Sequence, residues 1–499
     1  MERLRELVKV INRLKVNQIN VIGNYRIRET MSDEFYEKIC NDEFKNDDEA
    51  AQHFFNTGSD NRNYKLLKKR FEANLLNTVF FIDAKQNNFT LSQRAYYTIL
   101  KEMAAAKILI ARGVGYLSIE LLERSLQKAE KFEFIDMAAE ITKILKRHYG
   151  TRDLNEQLFN HYKQRTEYYR KLIQIEDLAE EYFIESNLFF SKNKSNPKAI
   201  QEFAAIRFEE LAPYLSSYTT YRLQLYVRLL QIQALSTKSN TQQMLEACNQ
   251  AIEFFTTINA KSGIQLFLNR KALAHYQLRQ YEEGKITIQK ALEIHVLKSL
   301  TWLQDMYFYL ILCLHMREYQ QAYDIYKQVA QAPNYRQIPN EVSEFWKIAE
   351  AYIYYLIAIG KIEAEEGKQF KLNKFLNEVP EFSKDKRIRN IPILIVQVLF
   401  LLQGSSKSIS KQNLATERIN PIEQYCSRYL RKGNNFRSNC FIKMLLQIPS
   451  GYFNKIAIER KSTKYVKLLK ESDVEFVTQT YEIELIPYEH LWEMALNSF

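Results

Sequence analysis

Glycine and proline are scarce in this chain, 12 and 9 among 499 residues. Turn-rich β architectures need more of both, so the composition favours helices throughout. Cysteine is scarce too. Cys40, Cys248, Cys313, Cys426 and Cys440 show no paired spacing, which argues against a disulfide framework or zinc site and for a reducing compartment. Long apolar runs are also missing. The longest, 391–402, is broken by Pro392 and Gln397 and is too short to span a bilayer, so it reads as a buried helix. Met1 to Val16 alternates charged and apolar residues and lacks the apolar centre of a signal peptide. These absences lead to an expected cytoplasmic protein with no membrane partner.

Catalytic patterns are absent as well. The seven histidines make no HExxH or other metal-ligand spacing, and Gly113-Val114-Gly115 lies between two helical segments with no strand before it. Adjacent acids such as Glu180-Glu181 diverge around a helix instead of converging on a substrate. Cys426 and Cys440 fall among basic residues that favour a thiolate, although a packed cysteine is the commoner role. The reading is non-enzymatic, with no cofactor and no metal.

What the chain does contain is a repeated phrase. Tyr281-Glu-Glu-Gly284 is followed by Ile288 and Ala291. Tyr319-Gln-Gln-Ala322, 38 residues later, is followed by Tyr326 and Val329. An upstream copy reads Met244-Leu-Glu-Ala247, then Ala251 and Phe254. A large residue, a small one three later, and apolar positions at +7 and +10 describe one face of the second helix of a hairpin, and recurrence means stacked hairpins. First helices are expected at 218–236, 264–278 and 301–316. Earlier, 92–111 and 116–130 pair across Gly113-Val114-Gly115, 134–148 follows, and 155–192 is one long helix or two closely joined ones.

These phrases resemble the tetratricopeptide repeat family. Tyr281 takes that motif's central aromatic position, Gly284 and Ala291 its small positions, and Ala272 the small position of the first helix. Tyr319, Ala322 and Pro333 match the next copy, but Leu310 replaces its small residue, the first-helix tryptophan is absent, and the spacing exceeds the family's usual 34 or so. The whole chain is also similar to a bacterial family of such proteins. The resemblance implies an all-α fold, a right-handed α-solenoid of helical hairpins (a tetratricopeptide-like superhelix). It further implies that first helices line a concave wall for a peptide or protein partner. There Asn269 and Gln277 would hydrogen-bond an extended backbone, and Tyr276 and Tyr307 would offer rings.

Both flanks read differently. Residues 1–90 form a helical cap. Leu4, Leu7, Val8, Ile11 and Leu14 recur at helical spacing, a capping box spans Asn46 to Glu49, and Leu66, Leu67, Phe71, Leu75 and Leu76 stripe a later helix. The turn at Gly58, before Lys65, Lys68, Lys69 and Arg70, also permits a helix-turn-helix, against which stands a hairpin that simply seals the first repeat. Residues 91–360 carry the repeats, and 361–499 form a basic helical module.

In that module, 404–413 is linker-like, Asn420-Pro421 opens a helix, 435–447 and 453–470 are helical, 474–485 alternates as a small hairpin would, and Pro487 opens a last helix. Charge is concentrated here. Between Lys384 and Lys470 there are 18 Lys or Arg against four acids, more than the whole chain's net +11. Such a stretch attracts polyanions, so nucleic acid is the alternative partner. Arg428, Arg431, Lys432, Arg437, Arg460, Lys461, Lys464 and Lys467 are the candidate anion contacts. An ordinary solvated helix face is the competing explanation.

Overall fold

A computed structural model describes residues 2, 4, 5, 8, 31–80, 89–192, 197–295, 299–332, 340–364, 370–378, 387–403, 408–429, 436–472 and 483–499. Every regular element among the described residues is a helix. The chain comprises two compact units, Met1–Gln174 and Ile175–Phe499.

The first unit opens with Met31–Cys40 (α1), Asp47–Phe55 (α2) and Arg62–Val79 (α3) around a core of Leu4, Val8, Phe35, Tyr64, Phe71 and Leu75. The expected stripe on α3 is partly corrected. Tyr64, Phe71 and Leu75 are buried, whereas Leu66 and Leu76 face outward. The capping box is half made. Asn46 Oδ1 accepts from Glu49 N at 2.9 Å, but Glu49 reaches back to the Lys45 amide instead of that of Asn46. Lys65 and Lys68 pair with Asp60 and Asp47. Leu91–Ala111 (α4), Gly115–Lys131 (α5) and Ile135–Thr151 (α6) follow, then Glu156–Lys192 (α7), a single helix that continues into the second unit.

The second unit continues with Pro197–Leu211 (α8), Tyr221–Ala234 (α9), Thr241–Thr257 (α10), Lys261–Gln277 (α11), Tyr281–Ile294 (α12), Leu300–His315 (α13), Tyr319–Ala330 (α14) and Asn340–Ala358 (α15). Leu372–Glu378 (α16), Arg387–Leu402 (α17), Ile409–Tyr429 (α18), Phe436–Ser450 (α19), Lys455–Glu471 (α20) and Tyr488–Leu496 (α21) complete it. Neighbours in sequence pack on each other from α8 to α15, as a helical-repeat chain requires. Tyr281 and Tyr319 each begin their helix, and Gly284, Ala291, Ala322 and Val329 are buried below them. In the upstream copy the buried aromatic is Phe255, not Phe254, which lies beside Arg228.

The hairpins close by one recurring device. Gly113, Glu133, Asn259, Arg279, Arg317 and Gly360 have left-handed φ, and the amide after each donates to the carbonyl five residues back, for example Gln280 N to His275 O at 2.9 Å. This is the Schellman closure, which satisfies the last carbonyls of a helix. Four of the six use a side-chain-bearing residue where glycine would be unstrained.

One expectation in the basic region is corrected. Asn420-Pro421 does not start a helix, because α18 already runs from Ile409, inside the segment read as a linker. Its buried stripe of Ala415, Ile419 and Ile422 continues across the proline, so packing decides the boundary. Of the expected terminal hairpin, 473–482 lies outside the described residues, and 483–487 is irregular with Ile483, Leu485 and Ile486 buried. A single hydrophobic cluster runs from Leu268 to Ala495, so the basic segment shares its core with the last hairpins.

Candidate functional site

First helices α9, α11 and α13, together with α15, border a cavity of about 540 Å³. The lining includes Asn269, Arg270, Asp305, Tyr307, Phe345 and Trp346.

Asp305 organises its polar floor. It is the single acid of α13, an otherwise apolar helix, and only 2% of it is exposed. A carboxylate there is affordable only when its oxygens are hydrogen-bonded. Asn269 Nδ2 donates to Oδ1 at 2.7 Å, and His295 Nε2 lies 2.7 Å from Oδ2. The Gln265 carboxamide lies 2.8 Å from the same imidazole nitrogen. Burial still raises the Asp305 pKa above the usual carboxylate range, against the pull of these partners. Because Asn269 turns its N–H group to Asp305, its carbonyl oxygen is left to accept from a ligand.

Above this floor, Tyr307 packs on Trp346 with ring centroids 5.6 Å apart, and the buried Trp346 indole N–H has no hydrogen-bond partner among the described residues. Arg270 is half-buried, and desolvation lowers its pKa.

Ser299, His295 and Asp305 follow one another in the order of a hydrolase triad, but the geometry is that of a helix cap. Ser299 Oγ accepts from Trp302 N at 3.1 Å and lies 3.5 Å from His295 Nδ1. The His295 and Asp305 side chains are 2% and 3% exposed. Among the described residues no group of three or more His, Cys, Asp or Glu could hold a metal ion.

The four residues proposed for partner contact separate. Asn269 and Tyr307 line the cavity. Tyr276 is 1% exposed and packs against Tyr281, Phe308 and His315, so its ring belongs to the core. Gln277 is the last residue of α11, partly buried and outside the lining. Sequence reasoning missed Asp305, Gln265, His295, Arg270 and Trp346. A lone acid in an apolar helix was the available signal.

The basic candidates separate too. Arg431 and Lys432 lie outside the described residues, as does the side chain of Arg428. Arg437 is 3% exposed. Its guanidinium binds Glu484 and Glu489, the latter at 2.7 Å, and also the Leu469 carbonyl at 3.1 Å. Burial lowers its pKa, yet the two carboxylates hold it above the ordinary arginine value. Arg437 is thus committed internally. Arg460, Lys461, Lys464 and Lys467 are exposed along α20.

No protein-family model, curated protein or solved structure matches the chain.

Proposed function

We propose that the chain is a non-enzymatic interaction protein, a tetratricopeptide-like right-handed superhelix that holds an extended peptide or partner segment against its first helices. The observation that carries this is the cavity on α11 and α13, where Asn269 is fixed by buried Asp305 so that a carbonyl oxygen remains for a backbone N–H. Arg270 supplies a donor, and partly exposed Phe345, packed on Tyr307 with Trp346 buried behind, supplies apolar surface for a side chain. Cys248, Cys313 and Cys440, all buried and outside any disulfide among the described residues, support a reducing compartment, the cytoplasm. No helix among the described residues is long and apolar enough to cross a membrane.

The test is selection of a phage-displayed random peptide library on the full chain, followed by anisotropy titration of an enriched peptide. Asn269→Leu should weaken it roughly three- to tenfold, the worth of one hydrogen bond, read well below a melting transition that the lost partner of buried Asp305 should lower. Arg270→Ala should weaken it as well. A library that yields no enriched sequence, or a peptide indifferent to both substitutions, overturns the reading.

A further inference from the structure

We propose that the exposed face of α20, with Tyr452 at its start, is a docking surface for single-stranded nucleic acid. The helix buries Ile458, Ser462 and Leu469. Its other side presents Ile456, Arg460, Lys464 and Lys467 at i, i+4, i+8 and i+11, all exposed. Successive members of that row therefore stand about 4.5–6 Å apart along the axis.

Neutralisation within the face is slight. Arg460 and Lys464 make no ion pair among the described residues. Lys461 donates to the Ser450 carbonyl, and Lys467 stands 3.8 Å from Glu471 at the far end. Glu459 is exposed on the flank, and Lys470 adds a further cation.

The independent observation is Tyr452. It is 89% exposed, and both Tyr452 and Phe453 hold left-handed φ values of 52° and 56°. Tyr452 holds the left-handed position of the same helix-closing turn seen at the hairpins, so the end of α19 fixes where its ring emerges. Hydrogen bonds fix the turn, Tyr452 N to Pro449 O at 2.9 Å and Phe453 N to Ile448 O at 3.2 Å. Phe453 lies against Phe499, and Lys461 reaches back to the Ser450 carbonyl, two residues before Tyr452, which sets this turn alongside α20. An exposed ring in the turn that leads into a row of positive charge fits an unpaired base followed by its phosphates. A duplex offers no free base face, and an acidic protein segment would use the cations and leave the ring idle.

The probe is a fluorescein-labelled (dT)20 strand, with the U20 strand beside it, titrated by anisotropy with the full chain. With three or four phosphates neutralised, affinity should fall roughly 20- to 50-fold between about 50 and 200 mM NaCl. The double substitution Arg460→Glu, Lys464→Glu should lose more than about tenfold with an unchanged circular dichroism spectrum. Tyr452→Ala should lose at least about fivefold while leaving the salt slope alone, because stacking releases no counterions. Absence of binding at the lower salt overturns the proposal. So does binding that Tyr452→Ala does not weaken, or equal affinity for a labelled polyglutamate, which would mark an acidic-protein site. None of these outcomes touches the cavity on α11 and α13.

Discussion

Arg437 and Arg460 belong to the same lysine- and arginine-rich stretch of the chain and live in opposite surroundings. Arg437, near the start of α19, is closed in by Glu484, Glu489 and backbone carbonyls. Arg460, on α20, faces water with no acid on it among the described residues. A cation taken out of water must be paired, and the pairing makes it part of the fold. An exposed one keeps its field for a partner. Local charge density therefore says little about anion binding until burial is known.

The largest effect expected is a direct break of that contrast. Arg437→Ala should cost about 3–5 kcal/mol in urea denaturation, because it strands a buried Glu484. Arg460→Ala should stay within about 0.5 kcal/mol. Equal losses would show that the buried nest does not hold the fold.

Next comes acid. His315 donates through Nε2 to the Glu484 carbonyl at 2.7 Å, and burial pushes its pKa down to about 4. Its charged surroundings are Arg437, Glu489 and His490, the last also shifted down by burial. The neutral imidazole is the folded form, so its contribution is complete above the unfolded value near 6.5 and is lost as pH falls through about 4. In that window the slope should approach about 1.4 kcal/mol per pH unit, and His315→Gln should flatten it. Denaturation curves at several pH values check this, and an unaltered profile in the variant would refute it.

The smallest effects sharpen the same lesson with one residue type. A methyl on Gly263 would lie 2.6 Å from the Phe255 ring, whereas on Gly284 its nearest neighbours would be at 3.5 Å. Gly263→Ala should therefore lose about 1–3 kcal/mol. Gly284→Ala should gain about 0.5–1 kcal/mol through helix propensity. Thermal melts that ranked the two alike would mean the Phe255 ring yields freely.

Much of the local structure was legible. Expected helices at 92–111 and 116–130 are found as Leu91–Ala111 and Gly115–Lys131, and Tyr281 and Tyr319 open helices as their phrase implied. Periodicity carries that information because helix faces are set by neighbours three and four residues away. The cavity was half legible. Asn269 and Tyr307 line it, but Tyr276 went to the core, and the Asp305 network joins side chains from three elements.

By itself, then, the sequence determined that this is a helical chain, roughly where its helices begin and end, and which face of each is apolar. Those are matters of short-range spacing. Tertiary structure alone decided which polar groups are spent inside and which remain outside: Asp305 held under a cavity, Arg437 locked between carboxylates, Pro421 carried through a helix by the stripe around it. Burial and pairing depend on residues distant in sequence, and no local pattern encodes them.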